Sequence, residues 1–117
     1  MNEQEFKDRT KALALRVVRL VEALPKNGAA QVIGKQLLRS GTSIGANYRA
    51  ACRAKSNPDI LAKLAVVEEE ADESLYWMEL LIEADIVPAS RLTDLMKETN
   101  EIIAMTVASI KTLRNHK

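Results

Sequence analysis

A chain of 117 residues fits one domain of ordinary size, taken here as spanning residues 1–117. Its 47% hydrophobic content carries only 3% aromatics, 4 glycines and 3 prolines, which favours helices and argues against a β-sandwich with its frequent turn signals. The formal net charge of +1 gives no support to a general polyanion binder, and a single cysteine, Cys52, excludes an internal disulfide.

The first helix is expected from about Glu3 to Leu24. Phe6, Thr10, Leu13, Val17, Leu20 and Leu24 alternate steps of four and three, which puts them on one face. Pro25-Lys26-Asn27-Gly28 then stops it with a helix-breaking ring and an Asn-Gly turn. The second helix is expected from about Ala30 to Lys55, with Ile33, Leu37, Gly41, Ile44, Tyr48 and Ala51 inward. Gly34, Gly41 and Gly45 lie inside it, each costing about 1 kcal/mol of helix propensity relative to alanine. The apolar period continues through Ser40–Ser43, so one helix is predicted, with glycine admitting a neighbouring helix at close range.

The third helix starts at Ser56-Asn57-Pro58-Asp59: Ser56 or Asn57 caps it, Pro58 suits the first turn and Asp59 complements the dipole. Ile60, Leu64, Val67, Ala71, Leu75, Met78 and Ile82 form its stripe, and Ile86-Val87-Pro88 closes it. The fourth follows from about Ala89, with Leu92, Leu95, Thr99, Ile102, Thr106, Ile110 and Leu113 inward and Arg114 and Lys117 at its C-terminal end. Four amphipathic helices with short connections predict an all-α, antiparallel up-down-up-down four-helix bundle. The N-terminus, Met1-Asn2-Glu3-Gln4-Glu5, is unlike a signal peptide, and no apolar run approaches the roughly 20 residues that span a bilayer. A cytoplasmic protein with no membrane partner is expected.

Charge is segregated. No acidic residue occurs between Ala23 and Pro58, whereas Lys63 is the only cation from Asp59 to Asp85. The basic block holds Lys26, Lys35, Arg39, Arg49, Arg53 and Lys55; the acidic one holds Glu68, Glu69, Glu70, Asp72, Glu73, Glu79 and Glu83. Such blocks attract each other within a chain or between copies, and Arg39, Arg49 and Arg53 are expected to pair with Glu69, Glu70 and Glu73.

Gln36, Ser40, Ser43 and Asn47 form a polar line beside the apolar stripe of the second helix. Pairing the second and third helices about the turn brings this line near Glu70 and Glu73, which predicts an interhelix polar network that fixes register. A ligand-binding slot is the alternative reading. Trp77 lies off the main stripe with Leu80 and Leu81, and Leu61 and Val66 widen the apolar surface further. These five are predicted as an oligomer interface, where tryptophan is an over-represented anchor; Trp77 covering the edge of a monomer is the alternative.

Gln36-Leu37-Leu38-Arg39, followed by Ser43-Ile44-Gly45-Ala46-Asn47, resembles the four-helix bundle family of proteins encoded in 23S ribosomal RNA intervening sequences. That family typically shows Gln-Leu-Arg-Arg and then Ser-Ile-Pro-Ala-Asn, with a glutamate on the next helix that Glu73 matches. Gly45 stands where proline is common, and Ala50-Ala51 stand where Glu-Gly often follows. The resemblance implies a homo-oligomer, most simply a homopentameric ring. It also implies kinship with the accessory variability proteins of diversity-generating retroelements, basic pentameric bundles that contact nucleic acid. It brings no enzymatic activity.

The residues offer little for catalysis. A di-iron bundle needs Glu-x-x-His pairs, and the one histidine is His116 at the C-terminal end. One cysteine and one histidine do not make a zinc site. Cys52 has no evident base partner, and no glycine loop cradles phosphate. Glu70-x-x-Glu73 and Glu98-x-x-Glu101 are the one remaining pattern, carboxylates for magnesium in a nucleotide hydrolase. The preferred expectation is a non-enzymatic, self-assembling scaffold or accessory factor with no cofactor. The second reading is a nucleic-acid accessory module using Lys35, Arg39, Arg49, Arg53 and Lys55.

Overall fold

The structure, a computed structural model, describes residues 2–115; the expectations for Lys117 and His116 lie outside that range. Four helices follow one another: α1 (Glu3–Glu22), α2 (Gly28–Arg53), α3 (Asn57–Glu83) and α4 (Ala89–Asn115). No strand occurs among the described residues. Each helix packs on the next in chain order, and α4 returns thinly to α1, which closes a bundle about 50 × 21 × 20 Å.

Three helix starts are capped by side chains. Asn2 accepts from the Glu5 amide, Asn27 from the Ala30 amide and Ser56 from the Asp59 amide. Asn27 therefore starts α2 two residues before Ala30, because its oxygen satisfies an amide that would otherwise be orphaned. At the end of α3, Asp85 has φ 58°, the Ile86 amide donates to the Leu81 carbonyl at 2.9 Å and the Asp85 amide to the Ile82 carbonyl at 3.0 Å. This is a Schellman motif built on an aspartate rather than the usual glycine.

The predicted stripes meet in the middle. Leu13, Val17, Leu37, Ile44, Val67, Met78, Leu92 and Ile102 are fully enclosed, and Leu81 joins them. Three glycines let α1 settle onto α2: Gly34 faces Leu24, Gly41 faces Val17 and Gly45 faces Thr10. Positions descending along α2 thus meet positions ascending along α1, and α2 remains one uninterrupted helix despite its glycines. Burial of a neighbour's side chains here offsets the propensity cost.

Five hydroxyl side chains are buried: Thr10, Ser40, Ser74, Thr99 and Thr106. The threonines donate to carbonyls four residues earlier, of Phe6, Leu95 and Ile102, so they occupy the core without unmet polar atoms. At one end Ala51, Leu64 and Ile110 form a smaller cluster with Ile60, Leu61 and Leu113. Phe6 and Tyr48 stack there with ring centroids 4.0 Å apart and planes nearly parallel.

Candidate functional site

The most connected polar cluster lies on the outer side of the α2–α3 seam. Arg39 donates to Glu70 at 3.1 Å, to Glu73, and more weakly to Gln36 at 3.3 Å. The Trp77 indole donates to the same Glu73 oxygen at 3.1 Å, and Tyr76 meets the Trp77 ring edge-on. Helical spacing explains the convergence: Glu70, Glu73 and Trp77 are three and four residues apart on one flank of α3.

The sequence-predicted polar network divides in two. Gln36, Glu70 and Glu73 come together through Arg39. Ser40 turns inward and shares a 2.8 Å hydrogen bond with Ser74, which the sequence reading did not include. Ser74 sits three residues from Ala71 and four from Met78, so its place on the buried stripe was readable. Ser43 and Asn47 join neither group: their side chains donate to the Arg39 and Ser43 carbonyls of their own helix. Small polar side chains on a helix find the preceding turn's carbonyl before they reach a neighbour.

The contacts 39–73 and 40–74 fix the register of α2 against α3. By that register Val32 is level with Leu80, and Asn47 is level with Val66. Val32 is 64% exposed and Tyr76 53% exposed, and they flank the half-buried Trp77 and Leu80. The predicted oligomer-interface set is therefore corrected in two places. Leu81 is 0% exposed and belongs to the central core, so no second subunit can reach it. Leu61 packs into the end cluster with Leu64 and Ile110, away from Trp77.

The acidic pairs offered for magnesium do not converge. Arg39 holds Glu70 and Glu73 on the α2–α3 seam. Arg9 holds the other pair on the α1–α4 seam: two parallel bonds to Glu98 at 2.6 and 2.9 Å, and a 3.3 Å contact to Glu101. The Glu98 hydrogen bond raises the Arg9 guanidinium above its already high ordinary pKa, against the opposing effect of burial. Among the described residues no three His, Cys, Asp or Glu side chains gather as metal ligands. The magnesium arrangement read from the spacing is not formed, because each carboxylate pair already has a cation.

The candidate nucleic-acid residues also separate. Arg39 is committed to its carboxylates. Arg49 and Arg53 are exposed and line a groove of about 450 Å³ with Lys7 and Lys11 of α1. Lys35 and Lys55 are exposed but line neither this groove nor its neighbour. Arg49 and Arg53 were expected to pair with acids of α3, yet neither does so among the described residues. By the α2–α3 register they stand level with Asp59, Ala62 and Lys63 at the start of α3, well short of Glu69, Glu70 and Glu73.

Cys52 is half-buried and unbridged. Burial pushes its thiol above the ordinary value; the Tyr48 hydroxyl is the next influence and pulls the other way, and Glu3 adds to the rise while Lys7 opposes it. Tyr48 is itself pushed well up, by burial first and then by Cys52. A thiol held protonated is a poor nucleophile.

The sequence matches the 23S rRNA-intervening sequence protein family over residues 2–108. The chain belongs to that family. Its fold matches, with a TM-score of 0.89 and 37% identity, the crystal structure of a protein of unknown function from the S23 ribosomal protein family of Bacteroides thetaiotaomicron; the match covers 95% of this chain and 99% of that one. No curated protein matches the chain.

In this intervening-sequence protein the two stretches that carry the family resemblance have distinct structural duties. Leu37 and Ile44 are core residues, and Arg39 is the hub of the ionic cluster. Gly45, at the position where proline is common, lies under Thr10: an added Cβ would come within 3.2 Å of the threonine oxygen. Gly45 leaves the α2 ladder intact where a proline would remove one bond. No helix among the described residues is long and apolar enough to cross a membrane.

Proposed function

We propose that this intervening-sequence protein is a non-enzymatic, self-assembling bundle, acting in the cytoplasm as a scaffold or accessory factor. Its outer α2–α3 face is the surface through which copies meet. The observation that carries the reading is the group of Trp77, Tyr76, Leu80 and Val32 left at the surface beside the Arg39–Glu70–Glu73 cluster. A half-buried tryptophan with its indole nitrogen already satisfied presents apolar surface with no polar cost to burying it further. Tyr76 beside it adds a second aromatic, and the ion pairs form a polar border.

Standard interfaces bury about 800 Å² from each partner, a modest part of the 6980 Å² surface of one chain. Exposed ion pairs contribute about 0–1 kcal/mol each, so the aromatic group has to supply most of the association energy. Copies would close into a ring, five being the closure that the family resemblance implies. Light scattering of the wild type against Trp77→Ala tests the reading: the wild type should be a stable multimer, and the variant should dissociate at concentrations where the wild type does not. Equal masses at every concentration would remove Trp77 from the interface.

A further inference from the structure

We propose that the groove between α1 and α2, with Lys7 and Lys11 on one wall and Arg49 and Arg53 on the other, binds the phosphate backbone of a nucleic acid. The inference does not rest on the assembly face, which is built around Trp77 on the α2–α3 seam, whereas this groove lies between α1 and α2.

The groove owes its shape to Gly45. With no side chain there, Thr10 drops against the α2 backbone, and small residues, Ala14 and Ala46, continue the floor. Long cationic side chains then stand above a low floor. On each wall the two cations are four residues apart, about 6 Å along the helix axis, which forms two facing rows. The one acid of the lining, Asp8, accepts a 2.9 Å hydrogen bond from Gln4. Lys7 also reaches Glu3 at 3.4 Å on the exposed rim. Lys11, Arg49 and Arg53 have no carboxylate partner among the described residues. On the far side of Arg49 and Arg53 a second groove adds Lys63 and Asp59, which offset each other.

The near-zero net charge therefore hides a local excess of cations that fold geometry, rather than sequence proximity, assembles from two helices. The trough has no aromatic side chain: Tyr48, which follows on α2, is stacked on Phe6. It thus lacks both a platform for base stacking and the apolar anchor on which a protein partner's interface would centre. What it offers is repeated positive charge for repeated negative charge, which fits sequence-independent phosphate contacts.

The test is fluorescence anisotropy of the full chain with a labelled single-stranded RNA of about 20 nucleotides and the matching DNA, from about 50 to 200 mM salt. Four phosphate contacts predict a log–log salt slope of about −3, and removal of two predicts about −1.5. Arg49→Glu with Arg53→Glu should weaken binding at low salt at least about tenfold, and Lys97→Glu on exposed α4 should change it less than about twofold. Arg49→Gln with Arg53→Gln keeps the reading open if charge reversal impairs folding. Absence of wild-type binding at low salt would overturn the proposal, as would equal effects of the arginine and Lys97 variants. Loss of binding together with a changed particle mass would assign the groove to a contact between copies and would also overturn it.

Discussion

Gly41 and Val17 lie so close that no side chain fits between them: a Cβ on Gly41 would stand 2.9 Å from both γ-methyls of Val17. Valine is stiff at χ1, and Val17 is fully buried, so neither helix can give way locally. Gly41→Ala should therefore destabilise the protein by about 1–3 kcal/mol, despite gaining about 1 kcal/mol in helix propensity. Gly34→Ala should cost less, because its 2.9 Å neighbour is the far end of Leu24. Urea unfolding of both, with Gly41→Ala/Val17→Ala as the relieving double variant, checks the order.

Arg9 is the main tie across the α1–α4 seam, the most thinly packed of the four. Its bidentate bonds to Glu98 are partly shielded, with side chains 30% and 22% exposed. The coupling in an Arg9→Ala, Glu98→Ala double-mutant cycle should be about 1–2 kcal/mol, above the usual surface pair. Hydrogen exchange should show α1 opening more readily in either single variant while the α2–α3 amides stay protected. Uniform loss of protection would assign the pair to global stability instead.

Asp85 adopts a left-handed conformation that glycine enters without a steric cost. Asp85→Gly should raise stability by about 0.5–1 kcal/mol, read as a higher urea midpoint with an unchanged slope. A lower midpoint would mean that the aspartate side chain contributes more than the backbone strain removes.

The helices were legible in the sequence because Leu, Ile and Val recur at three- and four-residue steps, and Pro25-Lys26-Asn27-Gly28 and Ser56-Asn57-Pro58-Asp59 punctuate them. Asp85 was not, since only its backbone angle distinguishes it from any surface acid. Site residues were harder. Trp77 announced itself by chemistry, but Leu81 looked like its companion because positions four apart on a helix differ in face by only about 40°, which spacing alone cannot split between core and surface when a helix is apolar on two sides. Ser43 and Asn47 matched the spacing of Ser40, yet spacing does not reveal whether a hydroxyl or amide bonds its neighbour or its own carbonyls. Arg49 and Arg53 showed their charge, and their partners Lys7 and Lys11 were hidden because they come from another helix.

Cys52 supplies a pH test. Its thiol is raised in the folded state, mainly by burial. Such a group contributes stability below its unfolded pKa, about 8.5, and that contribution is lost as pH rises through the folded value. Stability should therefore decline above about pH 9, and Cys52→Ser should flatten part of the decline. Near pH 8 the thiol should react with a disulfide reagent more slowly than a small free thiol does; an equal rate would contradict its burial.

The central claim is that copies of this chain associate through the α2–α3 face bearing Trp77. A light-scattering mass of the wild type, measured across a dilution series beside Trp77→Ala, tests it most directly. The predicted result is a multiple of 13.0 kDa, about 65 kDa for five copies, that falls on dilution sooner in the variant. A wild-type particle of 13.0 kDa at the highest concentration reached would contradict it.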